Sequence, residues 1–355
     1  MTPTTPATPT TPAPVSVLAA GDHFVRTPLL IDAVRAEVGA AVDLRFRTLD
    51  LPWPVRPFHP VAEVDEASGS EDELIEALRG VRVCVTQFAP LTERVLAACP
   101  ELELFAVGRG GPVNANVAAA ARHGVTVTCA PGRNAVATAE HTVALMLAAA
   151  RRVAHTHGEL RAGVWRGDYY VYDQVGLELG GTTVGLVGYG AIGRRVAAIL
   201  RGFGAHVVVY DPYLPGSASA EDGVERVELA ELLRRSAVVS LHARLTPRNR
   251  GLIGAAEIAA MPEGSILVNC ARGGLLDYDA ACDALDSGHL FAVAVDVFPE
   301  EPVPAGSRLL RTPGLVTTPH LAGASRQTAH NAARTVAADV ARFLRGEPVA
   351  HAVRP

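Results

Sequence analysis

Residues 184–197 read VGLVGYGAIGRRVA, and this stretch decides the fold. An apolar run of strand character ends at Gly188, and a helical pattern opens three residues later. Gly188, Gly190 and Gly193 stand in G-x-G-x-x-G spacing between the two. The next apolar run, HVVVYD, is closed by Asp211. A glycine triplet alone is a weak signal; strand before, helix after and an acidic residue closing the next strand make it a dinucleotide site. Gly188 serves the tight turn, Gly190 lets backbone approach a pyrophosphate, and Gly193 lets helix and strand pack closely. The amides around Ala191 and Ile192 point from the helix N-terminus at the phosphates. The Asp211 carboxylate accepts from ribose hydroxyls and repels a 2′-phosphate. Pro212 and Tyr213 bring no compensating cation, so the expected cofactor is NAD rather than NADP.

A second glycine cluster, GRGGPV at 108–113, has Val113 where the third glycine would stand. Pro112 also removes a backbone donor. This cluster is not the nucleotide loop.

Outward from Gly188, TTVGLVG, HVVVYD, AVVSLHA, SILVNCA, FAVAVDVF and LVTTPH are continuous apolar runs, most of them separated by helical stretches. Unbroken rather than alternating runs predict a parallel sheet covered on both faces, in a doubly wound open arrangement. Upstream, strands are expected at 15–20, 81–88, 102–108 and 125–130, with helices between. One of these, SEDELIEALRG, has Ser70 and Glu73 spaced as a capping box, and another is closed by Gly124. An Ala-rich helix is expected from Val136 past Arg152, joining two domains. The last stretch, SRQTAHNAARTVAADVARFLRG, reads as a long amphipathic helix returning to the first domain.

The chain has 355 residues, enough for two domains, with 49% hydrophobic and 19% charged residues and a net charge of −5. No block of like charge appears, which excludes nucleic acid or an acidic membrane surface as the main partner. No apolar run is long enough to span a membrane. The start, MTPTTPATPTTPAP, reads as a disordered Thr/Pro tail over 1–14, not a signal peptide. All 32 basic residues are arginine, so Schiff-base and Walker-type lysine chemistry is excluded. Cys84, Cys99, Cys129, Cys270 and Cys282 are odd in number and scattered, as in a reduced cytoplasmic protein without a disulfide frame or zinc site. His155 and His157 lie two apart on a helix, so their rings diverge and no metal is expected.

In an open α/β sheet, ligands sit outside the carboxyl ends of the strands. Arg272 follows SILVNCA, Glu300 and Glu301 follow FAVAVDVF, and His320 follows LVTTP. Each alone reads as a surface or capping residue. Together, in a sheet carrying a dinucleotide loop, they read as one site.

With these motifs in place, the chain resembles the D-isomer-specific 2-hydroxyacid dehydrogenases, the family that includes phosphoglycerate dehydrogenase. The resemblance runs from about residue 80 to 346 and rests on VGYGAIG, VNCARGGLLD, AVDVFPEEP and TPHLAG. It implies a Rossmann-type doubly wound domain over 134–321 and a smaller flavodoxin-like α/β substrate domain over 15–133 and 322–355. It implies that Arg272 binds the substrate carboxylate and 2-oxo group, that His320 is the acid/base, and that Glu301 pairs with it. It implies further that Asp296 contacts the nicotinamide carboxamide, and that Cys270, Ala271, Arg272 and the segment His320 to Gly323 line the cofactor. Chemistry agrees: a guanidinium grips a carboxylate bidentately, and a histidine beside a carboxylate delivers a proton near neutral pH.

The substrate loop is where the chain departs from the family pattern, which usually reads G-V-G-x-D-N-V-D. Here the amides of Gly110 and Gly111 are candidates for the substrate carboxylate, across the cleft from Arg272. Arg109 either reaches a further anionic or hydroxylated part of a larger substrate, such as a sugar acid, or faces solvent. Asn134 matches a position at the domain junction near the substrate. Arg244 stands where proline is commoner. No regulatory domain is expected after the last helix. The aromatic loop holding Trp165, Tyr169, Tyr170 and Tyr172 is expected to pack against a second subunit as a homodimer. The fold also admits a non-catalytic NAD sensor, and Glu301 disfavours a formate dehydrogenase, which carries glutamine there. The substrate itself, beyond a 2-hydroxy or 2-oxo acid, is open.

Overall fold

The computed structural model describes residues 14–53, 59–214 and 223–355. All but the last residue of the expected Thr/Pro tail lie outside these. The chain divides into two compact units, one comprising the chain up to Arg133 together with Arg326–Pro355, the other Asn134–Ser325.

The first unit carries β1 (Val15–Gly21), β2 (Leu44–Asp50), a hairpin of β3 (His59–Val61) and β4 (Val64–Ala67), then β5 (Val83–Thr86), β6 (Leu104–Val107) and β7 (Thr126–Thr128). Its main sheet has the order β2-β1-β5-β6-β7, all parallel. Both faces of the sheet are covered, which is why β1 reads as an unbroken apolar run. Val17 and Ala19 enter one core cluster, while Leu18 and Ala20 enter another. The first cluster is completed by Ala329, Ala332, Ala333, Val336 and Val340 from the final helix, Arg326–Leu344. Their i, i+3, i+4, i+7 spacing is the apolar stripe of an amphipathic helix, so the C-terminal helix does belong to this unit. The capping box expected at Ser70 is present, with the Ser70 hydroxyl accepting from the Glu73 amide and the Glu73 carboxylate accepting from the Ser70 amide.

Three elements of this unit escape the sequence reading. The helix Thr27–Val38, edge strand β2 and the β3–β4 hairpin lie between the expected strands. Strand β2 is mostly exposed and carries arginine at alternate positions, so it lacks the continuous apolar signature of its neighbours.

The second unit carries β8 (Thr183–Val187), β9 (His206–Tyr210), β10 (Glu225–Arg226), β11 (Val238–Leu241), β12 (Ser265–Asn269), β13 (Leu290–Val295) and β14 (Leu315–Thr317). The order is β10-β9-β8-β11-β12-β13-β14, again parallel throughout. Ile266 and Val268 of β12 face one core and Leu267 faces the other. Truncating one of these fully buried side chains, as in Leu267→Ala, costs about 2–5 kcal/mol.

The Ala-rich helix runs Ala135–Ala150, wholly inside the second unit, rather than continuing past Arg152. Arg152 takes a left-handed conformation, φ 52°, and a separate helix follows at Val153–Arg161. No helix of the described residues is long and apolar enough to cross a membrane.

Candidate active site

The carboxyl ends of the second unit's strands line up in sheet order. Asp211 follows β9, Gly188 follows β8, His242 follows β11, Cys270 to Arg272 follow β12, Asp296 follows β13, and His320 lies just past β14.

The three glycines of the β8 loop are set apart by what a side chain would meet. At Gly188 φ is +103° and a Cβ would lie 2.6 Å from the Ala243 amide nitrogen. At Gly193 a Cβ would lie 2.4 Å from the Gly188 carbonyl oxygen, so the helix Ala191–Gly202 sits against the turn only because no side chain intervenes. At Gly190 nothing lies within 4 Å. Two glycines are therefore required by packing and one by open space. That is the cradle a pyrophosphate needs at a helix N-terminus, and the residues fit NAD on this ground. Ala191 and Ile192 open the helix. Asp211 accepts from the Tyr189 amide at 2.8 Å and the Tyr213 amide at 2.9 Å. It thus ties the glycine turn to the end of β9. His242, missed in the sequence, backs the turn. Burial alone pulls its pKa down to about 4, so it is neutral.

Beyond β12 the chain turns sharply, and buried Asn269 builds the turn. Its Oδ1 accepts from the Ala271 amide at 3.0 Å, and its Nδ2 donates to the Arg272 carbonyl at 3.0 Å and to the Tyr278 hydroxyl at 3.3 Å. The Tyr278 hydroxyl donates in turn to the Val297 carbonyl. Gly273 lets the two loops meet, since a Cβ there would lie 1.9 Å from the Phe298 carbonyl oxygen. Arg272 is exposed at this junction, and Nη1 donates to the Ala271 carbonyl. Cys270 is buried, which pushes its thiol up to about 12 and leaves it inert.

His320 Nδ1 lies 2.7 Å from Glu301 Oε2, and Glu301 Oε1 accepts from the Phe298 amide at 3.0 Å. The hydrogen bond that the His320 ring donates to Glu301 raises the His320 pKa; burial and the Arg272 charge oppose it, and the Glu301 and Asp296 charges assist. For Glu301 burial pushes the pKa up, but the His320 hydrogen bond and charge, the Phe298 amide and Arg272 outweigh it, and the net shift is down. Both shifts favour an imidazolium–carboxylate pair, and Arg272 is near enough to act on each partner. The His320 side chain is 49% exposed, open to a ligand.

Asp296 is fully buried. Its Oδ1 accepts from the Leu321 amide at 2.7 Å and the Thr318 hydroxyl at 2.6 Å, and its Oδ2 accepts from the Ala322 amide at 2.7 Å. Its visible work is to clamp the histidine loop. His141 adds a second support, with Nε2 at 3.0 Å from the Thr318 hydroxyl. Asn134 meets the same loop further on, where a Cβ at Gly323 would lie 2.7 Å from its Nδ2.

In the first unit, among the described residues nothing accepts a hydrogen bond from the amides of Gly110 and Gly111, and a Cβ at either meets open space. Arg109 is neither solvent-facing nor free. It pairs with Glu66 and stacks over the Phe88 ring at 5.0 Å. The His155 and His157 pair holds no cluster suited to a metal, and none occurs among the described residues. Among the described residues, Arg244 is bound only through its carbonyl, by Asn249.

An open parallel sheet with a glycine cradle at one strand end and this row of polar residues along its edge is that of a dinucleotide-binding domain. The chain belongs to the D-isomer specific 2-hydroxyacid dehydrogenase family. The model of that family's NAD binding domain matches residues 143–322. The D-3-phosphoglycerate dehydrogenase of Methanocaldococcus jannaschii is 37% identical over 297 residues, which is 82% of this chain and 56% of that protein. The glyoxylate reductase of Korarchaeum cryptofilum is 36% identical over 284 residues, 80% of this chain and 86% of that protein. The chain spans about half the length of the phosphoglycerate dehydrogenases it matches. Among solved structures, the D-lactate dehydrogenase from Treponema pallidum superposes with a TM-score of 0.78 at 26% identity, covering 96% of this chain and all of that one. A protein from Thermus thermophilus gives 0.76 at 30% identity, with 96% and 100% covered.

Proposed function

We propose that the chain is an NAD-dependent dehydrogenase interconverting a D-2-hydroxy acid and its 2-oxo acid. The observation that carries the reading is the 2.7 Å His320–Glu301 pair within the field of Arg272, on the sheet edge that holds the glycine cradle. Arg272 binds the substrate carboxylate and orients the 2-oxo group. With Nδ1 on Glu301, His320 has Nε2 to give a proton to the oxygen at C2 during reduction and to take it back during oxidation. Bound NAD(H) supplies or accepts the hydride. Cys270, Ala271 and Gly323 line the cofactor through backbone, and Asp296 acts chiefly by holding the His320 loop. Asn134 braces the Gly323 turn.

The exposed Trp165, Tyr170 and Tyr172, at 85%, 93% and 88% exposure, support packing against a second copy. Sedimentation at micromolar concentration should report a dimer that Trp165→Asp weakens. Four buried thiols and the absence of any disulfide among the described residues support a cytoplasmic setting.

The test is NADH oxidation against glyoxylate, hydroxypyruvate, pyruvate, phenylpyruvate and sugar-derived 2-oxo acids. At least one should turn over, and His320→Ala should lower kcat by about 100-fold or more. Turnover of none, with NADH bound, overturns the reading.

A further inference from the structure

Arg272 and Glu301 stand on different loops, the first after β12 and the second after β13, both in the second unit. A guanidinium that holds a substrate and a carboxylate that charges a histidine must keep one spacing. A shift of about 1 Å at a reacting centre can cost about 100-fold in rate. Neither side chain secures that spacing itself. Arg272 is exposed, and its Nη1 turns back to the Ala271 carbonyl at 2.7 Å. Glu301 is anchored through the Phe298 amide, a bond within its own loop. The strand ladder ends where the Asp296 amide donates to the Asn269 carbonyl at 3.0 Å. Beyond that point the two loops need another tie.

Tyr278 fills the place behind them. It opens the helix Tyr278–Asp286, which Asp277 caps by accepting from the Ala280 amide at 3.1 Å. Its ring is buried beside the Phe298 ring, with centroids 6.4 Å apart. Its hydroxyl meets both loops. It accepts from Asn269 Nδ2 at 3.3 Å, and the same nitrogen donates to the Arg272 carbonyl at 3.0 Å. It donates to the Val297 carbonyl, one residue before the amide that holds Glu301. A hydroxyl can do both at once, because it carries one donor and two acceptor lone pairs. Burial pushes the Tyr278 pKa well above the usual phenol range; the Asn269 hydrogen bond opposes this, and the Glu301, Cys270 and Asp296 charges assist. The hydroxyl therefore keeps the proton it gives to Val297. The loops also touch where Gly273 meets the Phe298 carbonyl, but that is close packing without a bond. It limits their approach and leaves their register to the hydroxyl.

We propose that Tyr278 is a positioning residue whose hydroxyl registers the Arg272 turn against the Glu301 loop, and so keeps the bound substrate and His320 in one reacting geometry. The inference rests on the 2-hydroxyacid dehydrogenase reading and adds to it a residue that acts through others. In Tyr278→Phe the ring and its packing stay and only the tie is lost. Val297 loses a donor, and Asn269 Nδ2 keeps its bond to the Arg272 carbonyl, so each loop stays folded while neither is registered against the other. Slack at the Arg272 turn weakens the grip on a carboxylate. Slack at the Glu301 loop loosens the 2.7 Å contact with His320 and with it the imidazolium that contact favours.

The test compares the full chain with Tyr278→Phe, both loaded with NADH, by two measurements that need no turnover. Calorimetry reads the affinity for oxamate, an unreactive analogue of a 2-oxo acid. Magnetic resonance of the histidine rings reads the midpoint of the His320 titration. Tyr278→Phe should weaken oxamate at least about fivefold and lower the His320 midpoint by at least about half a pH unit, with NADH affinity within about twofold. In a Glu301→Gln background it should move that midpoint no further, because it acts through Glu301. Leu290→Ala, a buried truncation at the opposite end of β13, should lower stability and move neither reading. Unchanged readings in Tyr278→Phe overturn the proposal, as does a change in only one of them, which ties the hydroxyl to a single loop. Equal changes in Leu290→Ala overturn it too, as the mark of general loosening. Failure of the dehydrogenase reading shows differently: the parent chain then binds no oxamate and reduces no 2-oxo acid, while the His320 midpoint still tells whether Tyr278 holds the Glu301 loop.

Discussion

Substitution at two glycines of one loop separates packing from ligand binding. In Gly193→Ala the new methyl would lie 2.4 Å from the Gly188 carbonyl oxygen. Ordinary contact needs about 1 Å more, so helix and turn must part by about that distance. Overpacking of this kind costs about 1–3 kcal/mol. It also carries the amides at the start of the helix out of hydrogen-bond range of a phosphate. The loss of even one charge-assisted bond, about 1.5–3 kcal/mol, weakens binding by about 10- to 100-fold. Gly193→Ala should therefore lower both urea stability and NADH affinity.

Gly190→Ala behaves differently. Its φ of −83° is open to any residue and nothing lies within 4 Å of the new methyl. Stability should stay within about 1 kcal/mol, because the entropy lost by the unfolded chain offsets a slightly poorer N-cap. The methyl nevertheless occupies the space kept for the pyrophosphate, so NADH affinity should fall by at least about tenfold. Fluorescence titration with NADH and urea unfolding read the two quantities. Gly190→Ala binding NADH like the parent would refute the cradle, and Gly193→Ala as stable as the parent would refute the packing argument.

Other perturbations test the neighbouring strand ends. If Asp211 is the ribose-side carboxylate we propose, Asp211→Ala should erode NADH-over-NADPH discrimination by at least about tenfold; an unchanged ratio of kcat/KM removes Asp211 from the ribose site. In Glu301→Gln the imidazolium loses its carboxylate, so the His320 pKa falls. The proton-donating form exists below that pKa, and the basic limb of the pH–rate profile for reduction should move to lower pH. A basic limb that stays in place assigns it to another group. Asp296→Asn turns one acceptor into a donor facing backbone amides, at a cost of about 1.5–3 kcal/mol for each charge-assisted bond lost. A loop clamp predicts a large fall in kcat with NADH affinity within threefold; a tenfold rise in the NADH Kd instead makes the carboxamide its main partner.

The second unit was the more legible one, for a physical reason. Its central strands β8, β11, β12 and β13 are buried on both faces, so each reads as an unbroken apolar run, and its chemistry follows the strand ends at once, as with Arg272 after β12 and His320 after β14. The first unit hides what it does. Glu66, which holds Arg109, comes from a hairpin with no apolar signature, 43 positions earlier in the chain. Asn269 looks like a polar end to a strand, yet it shapes the Arg272 turn through contacts that only the folded chain creates. Arg133 sits in a Gly-Arg-Asn turn signal, and nothing local marks the burial of its Nε and Nη1.

Asp296 shows how a buried charge can serve geometry. His320 holds φ at +54°, a conformation that costs a side-chain-bearing residue about 1–3 kcal/mol. The loop bears this because it is fastened on both sides of the histidine. The Thr318 hydroxyl binds Asp296 on one side, and the Leu321 and Ala322 amides bind it on the other. The His320 amide itself donates to the Asp296 carbonyl at 2.9 Å. Only a carboxylate offers two acceptors to three converging donors, and those donors repay its desolvation. The ring is thereby aimed at Glu301 by the backbone rather than by its own packing, which is why it can remain half exposed and still be held at 2.7 Å. A residue that must meet a changing ligand yet keep one orientation is best fixed from behind, and the fixing group must then be buried where the ligand cannot compete for it.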